Sequence, residues 1–110
     1  MPVGRKMASQ PLLETIGRKS GLPRQTPIGG RLIGNQFWFV SEHGAYSQYI
    51  RNIRENPTVR VRYRGRWLNG VAHLLPGDDA KRRLKSLPRA NSVGVRALGT
   101  SLLTVRVDLH

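Results

Sequence analysis

The chain contains no cysteine, so disulfides and thiolate metal sites are excluded. Acid is scarce: six Asp and Glu stand against nineteen Lys and Arg, a formal charge of +13 over 110 residues. Two of those acids, Asp78 and Asp79, are adjacent before a helical pattern. They serve a helix N-terminus more economically than a two-carboxylate site. The three histidines, His43, His73 and His110, are scattered with no ligand spacing, so no metal site is expected. No Gly-x-Ser-x-Gly elbow is present, which argues against a hydrolytic triad. No apolar run is long enough to span a membrane, and no apolar block near the N-terminus resembles a signal peptide. The expectation is a cytoplasmic protein, with residues 1–9 as a flexible basic arm and residues 10–110 as a single domain.

What the chain does have is cationic charge, and it is concentrated. Gly17-Arg18-Lys19-Ser20-Gly21-Leu22-Pro23-Arg24 places three cations, a hydroxyl and two glycines in eight residues. Arg presents a planar fork of donors and Lys a mobile point charge, while glycine lets backbone N–H groups approach an anion. No Lys-Ser or Lys-Thr follows the second glycine, so this is not a Walker A loop. A solvated basic turn is the plain alternative. The overall charge favours an anionic partner: nucleic acid, an anionic membrane surface or a polyanionic small molecule.

Around this stretch the periodicities predict mostly strands. Pro11–Ile16 reads as one strand and Thr26–Ile33 as a second, with Gly29-Gly30 marking a bulge or a close approach. Gly34-Asn35 turns the chain back into Gln36–Ser41 as a hairpin. Tyr46, Tyr49, Ile50 and Ile53 recur at helical spacing, and Asn56-Pro57 stops the helix. Thr58–Tyr63 alternates Val59 and Val61 with Arg60 and Arg62, giving one apolar and one cationic face. Trp67–Leu75 follows. A second helix, capped by Asp78, buries Ala80, Leu84 and Leu87 and turns Lys81, Arg82, Arg83 and Lys85 outward. A short turn is read around Val93–Leu98, and Thr100–Leu109 is the closing strand. The fold class is mainly β (α+β): about six antiparallel strands in a barrel-like sheet, with two or three short helices outside.

Fewer residues offer chemistry. His43 lies in a strand-to-helix loop, and Tyr46 and Tyr49 sit near the mouth of that loop, where their hydroxyls could reach a ligand. These three are the candidate proton donors. The alternating Arg60, Arg62, Arg64 and Arg66, with Tyr63 and Trp67 nearby, could track a phosphate backbone or simply form a solvated strand face.

Three stretches taken in order resemble the deazaflavin (coenzyme F420)-dependent nitroreductase family. They are Gly17-Arg18-Lys19-Ser20-Gly21 with Pro23-Arg24 and Pro27; Ser41-Glu42-His43-Gly44; and Tyr49-Ile50-Arg51-Asn52-Ile53-Arg54 running into Glu55-Asn56-Pro57. The resemblance implies a split β-barrel related to FMN-binding oxidoreductases, with F420 in a groove of the barrel. It carries Arg18, Lys19, Ser20 and Arg24 to the cofactor's phosphodiester and glutamate tail. Thr26, Pro27 and Ile28 match the strand along the cofactor. Ser41, Glu42, His43 and Gly44 match the loop near the ring, and Gln48, Tyr49 and Asn52 match helix positions on its other side. Glu42 stands where relatives can have a basic residue, Tyr49 where they can have Trp, and Gly29 where some carry a pocket Tyr. These departures bear on the acceptor.

The implied activity is hydride transfer from reduced F420 to an electrophilic acceptor such as a nitroaromatic, a quinone or an activated alkene. The alternatives are an F420 carrier without turnover, an FMN-binding split barrel and a basic nucleic-acid-binding module. Phe37–Val40 could also pair two copies into a homodimer, with burial in the core as the simpler reading.

Overall fold

The computed structural model describes residues 10–85 and 102–110. Among them are seven strands: β1 (Leu12–Ile16), β2 (Pro23–Pro27), β3 (Gly30–Ile33), β4 (Gln36–Ser41), β5 (Thr58–Tyr63), β6 (Arg66–Leu75) and β7 (Leu103–Leu109). Two helices accompany them, α1 (Gln48–Glu55) and α2 (Ala80–Lys85). The strands form one sheet in the order β2-β1-β5-β6-β7-β4-β3, antiparallel throughout.

This order forces curvature. β2 and β3 are the two edges of the sheet, yet only Ile28 and Gly29 separate them in sequence. Three Cα steps span at most about 11 Å, so the edges must meet and the sheet must curl into a split barrel. The crossover is pinned where Ile28 N–H donates to the Pro11 carbonyl at 3.0 Å and Gln10 Nε2 to the Ile28 carbonyl at 2.8 Å. The expected single strand over Thr26–Ile33 is therefore two strands with different partners, which raises the count from six to seven. Periodicity is local, whereas the partner of an edge strand is not. Gly30 marks a close approach of protein to protein: a Cβ there would lie 2.6 Å from the Phe37 ring and 2.6 Å from the Trp38 carbonyl.

The inward faces supply the core, in which Leu13, Phe37, Phe39, Val59, Val61, Val105 and Val107 are buried. Alternation along β5 puts Val59 and Val61 inside and Arg60 outside, as its sequence pattern predicts. Helix α1 adds Ile50 and Ile53 to this cluster, while Tyr49 packs against Phe39 with ring centroids 6.1 Å apart. Tyr46 does not join the helical stripe. Gly44–Tyr46 is a separate 3-10 turn, Ser47 is extended (φ −64°, ψ 140°), and Tyr46 is 71% exposed.

At α2 the cap is Asp79, whose Oδ1 accepts from Arg82 N–H at 3.1 Å, rather than Asp78. Asp78 instead accepts from Arg83 Nη2 at 2.9 Å and from Thr104 Oγ1 at 2.8 Å. Arg83, expected to face out, is half-buried over the Trp38 ring at 4.2 Å. Leu87, Val93–Leu98 and Thr100 lie outside the described residues. No helix among the described residues is long and apolar enough to cross a membrane.

Candidate functional site

A cleft of about 450 Å³ opens where the β1–β2 turn faces the first turns of α1. Gly17 folds that turn. Its N–H donates to the Leu22 carbonyl at 2.8 Å, and its carbonyl accepts from Gly21 N–H at 2.8 Å. A Cβ at Gly17 would lie 2.7 Å from Ser20 Oγ and 3.2 Å from the Leu22 carbonyl, so a larger residue would disturb the turn. Ser20 Oγ in turn accepts from Leu22 N–H at 3.2 Å. The opposite wall is set by the helical period. Gln48, Tyr49 and Asn52 fall on one side of α1 because residues four apart share a face.

Eight of the residues singled out from the sequence line this cleft: Arg18, Lys19, Ser20, Arg24, Thr26, Gln48, Tyr49 and Asn52. Thr15, Gly17 and Gln25 line it as well. Thr15 shares a strand face with Leu13, a position that reads in sequence as core. Its role depends on a contact 37 residues away, Asn52 Nδ2 donating to Thr15 Oγ1 at 3.2 Å. The other six residues are not part of the lining. Pro27 is exposed at the end of β2, and Ile28 is buried in the core. Ser41 is fully buried, donating to the Gly44 carbonyl at 3.3 Å and sharing a hydrogen bond with Ser47 Oγ at 2.9 Å. These bonds tie Ser41 to Gly44 and to Ser47 at the start of α1, and the His43 side chain is exposed.

Electrostatically the cleft is one-sided. Lys19 and Arg24 are exposed and have no ion-pair partner among the described residues, and none of the lining residues is an acid. The Ser47 side chain at the N-cap of α1 accepts no hydrogen bond from the helix's N–H groups, and no acid sits in the helix's first turn. The positive end of the helix dipole therefore reinforces the cations. Burial pushes the Tyr49 phenol up from its ordinary pKa. Hydrogen bonding by Ser41 and Ser47 opposes that shift, and the Glu42 charge adds to it. Tyr49 therefore keeps its proton at neutral pH. No cluster of His, Asp or Glu able to hold a metal ion occurs among the described residues.

The curled sheet is shared with solved structures of low identity. One described as an F420 reductase aligns with a TM-score of 0.70 at 18% identity, covering 94% of this chain and 87% of its own. A second, described as an F420-H2 dependent reductase, aligns at 0.65 and 22% identity, covering 90% and 93%. A third, described as a domain-swapped dimer, aligns at 0.68 and 20% identity, covering 90% and 79%. Among curated proteins, no sequence matches the chain. The architecture is thus that of the split-barrel reductases. The family model for F420H(2)-dependent quinone reductases matches residues 1–110, and the chain belongs to that family. Its cofactor is the deazaflavin F420, and it is an F420-dependent reductase.

Proposed function

We propose that the cleft between the β1–β2 turn and α1 binds F420, and that the acceptor reduced beside it is a quinone. The observation that carries this reading is the pair Lys19 and Arg24, without an ion-pair partner among the described residues, on the rim of a cleft whose lining holds no acid. The residues fit the group. A phosphodiester extended by glutamates needs cations and hydroxyl donors, and Lys19, Arg24, Ser20 and Thr26 supply both. Gln48, Tyr49 and Asn52 form the wall against which the rest of the cofactor would lie, with Arg18 at the lip.

When bound, reduced F420 supplies a hydride, and the chain's own residues bind, orient and handle protons. Quinone reduction consumes a proton for each hydride accepted. Of the three candidate donors, only Tyr49 lines the cleft; Tyr46 and His43 point to solvent elsewhere. We assign Tyr49 as the donor. Its phenol is protonated at neutral pH, and hydrogen bonding with Ser41 and Ser47 holds it in place. A nitroaromatic or activated alkene makes the same demand, so the choice of quinone rests on the family. Residues 10–110 are proposed to act as one domain around this cleft.

The test is a fluorescence titration of the protein with F420 beside FMN and a short DNA duplex, followed by oxidation of reduced F420 with menadione or a nitroaromatic. Saturable F420 binding with menadione turnover supports the reading. Binding without turnover of either acceptor identifies a carrier. A preference for FMN, or for DNA with steep salt dependence, would overturn the cofactor assignment.

A further inference from the structure

Arg18 stands beside the two free cations, but its surroundings set it apart. Its Nη2 donates to Gln48 Oε1 at 2.9 Å, and its Nη1 donates to Asn52 Oδ1 at 2.9 Å. Its backbone N–H donates to the same Asn52 oxygen at 3.1 Å, and Nη1 approaches the Gln48 carbonyl at 3.5 Å. Asn52 is 4% exposed and is fixed in turn by its bond to Thr15 on β1. The guanidinium thus bridges the β1–β2 turn to two successive turns of α1.

We propose that Arg18 is a positioning residue: a strut that fixes the turn against α1 and so sets the width of the cleft, leaving the ligand's anionic groups to Lys19 and Arg24. The physical reason lies in its acceptors. If Arg18 swung toward a ligand, Asn52 Oδ1 would lose its side-chain partner in a buried place, and Gln48 would lose the bond that orients it. Lys19 and Arg24 have no comparable commitment among the described residues and can turn to a ligand without breaking anything. The planar fork is what the strut requires, because two acceptors on neighbouring helical turns are met by two nitrogens in one plane. A lysine ammonium carries the same charge but cannot reproduce that geometry.

The inference rests on the F420 reading for its ligand, and its test separates the two. F420 affinity is measured by fluorescence at several salt concentrations for wild type, Arg18→Lys, Gln48→Ala, the double variant and Lys19→Ala. Amide hydrogen exchange is measured on the same proteins without ligand. A strut predicts that Arg18→Lys, although charge-neutral, weakens F420 about tenfold, as expected for losing one charged hydrogen bond. It also predicts that the double variant is no weaker than the worse single variant by more than about twofold, because both act through one connection. The salt dependence stays that of wild type in Arg18→Lys and flattens in Lys19→Ala. In ligand-free Arg18→Lys, exchange quickens in residues 17–22 and the first turns of α1.

Wild-type affinity in Arg18→Lys with unchanged exchange would show that charge alone matters and overturn the proposal. Additive losses in the double variant would do the same. Should wild type fail to bind F420, the cofactor reading falls while the exchange comparison still decides the strut.

Discussion

Arginine is used in opposite ways in two regions of this molecule. Away from the cleft, on the sheet's outer face and on α2, each described ion-paired arginine meets an acid. Arg60 donates to both Glu14 oxygens at 2.8 and 3.0 Å and lies 4.6 Å over the Trp67 ring. Arg106 grips Asp108 at 2.9 and 3.1 Å, and Arg83 grips Asp78 at 2.9 and 3.3 Å. Half of the chain's six acids are thereby committed to arginine forks away from the cleft. In the cleft lining the same residue type meets no acid among the described residues. Arg24 and Lys19 have no ion-pair partner among the described residues, and Arg18 is held by neutral oxygens. Abundance of charge does not mark a binding site; what marks it is where the scarce acids have not been placed. The row Arg60, Arg62, Arg64 and Arg66 also offers in sequence a candidate anion platform, with a solvated strand face as the plainer reading. Folding neutralises Arg60 and sets Arg64 5.3 Å over the Tyr63 ring.

The comparison can be broken most decisively at the cleft. Replacing Lys19 and Arg24 together with alanine is expected to weaken F420 binding by at least about 10²-fold, since each charged hydrogen bond contributes about 1.5–3 kcal/mol. The Tm should stay close to wild type, because both side chains are exposed. Unchanged affinity in a fluorescence titration would mean that the anionic tail lies elsewhere.

Next in size is Tyr49→Phe. Loss of the phenol proton is expected to lower kcat for menadione by about 10²-fold with F420 affinity little changed. Equal kcat for the two proteins would assign the proton to solvent.

The converse variant on the outer face, Arg60→Ala, leaves the buried Glu14 carboxylate without its fork. It should lower the Tm by several degrees while F420 affinity stays within about twofold of wild type. A large affinity loss there would erase the distinction between the two regions.

The smallest effect is in the pH dependence of stability. Arg60 holds the Glu14 carboxyl below its ordinary 4.5, and Arg83, with help from Thr104, holds Asp78 below its ordinary 3.8. A carboxylate whose folded pKa is depressed contributes stability above its unfolded pKa. That contribution is lost as the pH falls through the folded value. Chemical denaturation should therefore show stability that is flat above about pH 5 and falls below it, with a shallower fall in Arg60→Ala.

Much of the site was legible before folding was considered. Gly17, Gly21 and the cations between them announce a tight basic turn by composition alone. Tyr49 and Asn52 share a helical face by spacing alone. Thr15 was not legible as part of the site, because its significance is a bond to a residue 37 positions away. Nor was the division among Arg18, Lys19 and Arg24. Three cations within seven residues look alike until Gln48 and Asn52 are brought against one of them. The loop Ser41–Gly44 resembles a ring-contacting loop in sequence; the Ser41–Ser47 hydrogen bond that fixes it to the start of α1 is a contact that spacing alone does not announce.

Neighbours along the chain fix local features: alternation that makes strands, a 3.6-residue stripe that makes α1, a turn that glycine at 17 and 21 allows, and a surplus of positive charge. Only the tertiary structure decided which edges of the sheet meet, splitting Thr26–Ile33 between β2 and β3. It also decided which cations keep their charge available. Both depend on partners far along the chain, since a strand's pairing and an arginine's acid are chosen by what the curled sheet brings within hydrogen-bonding distance.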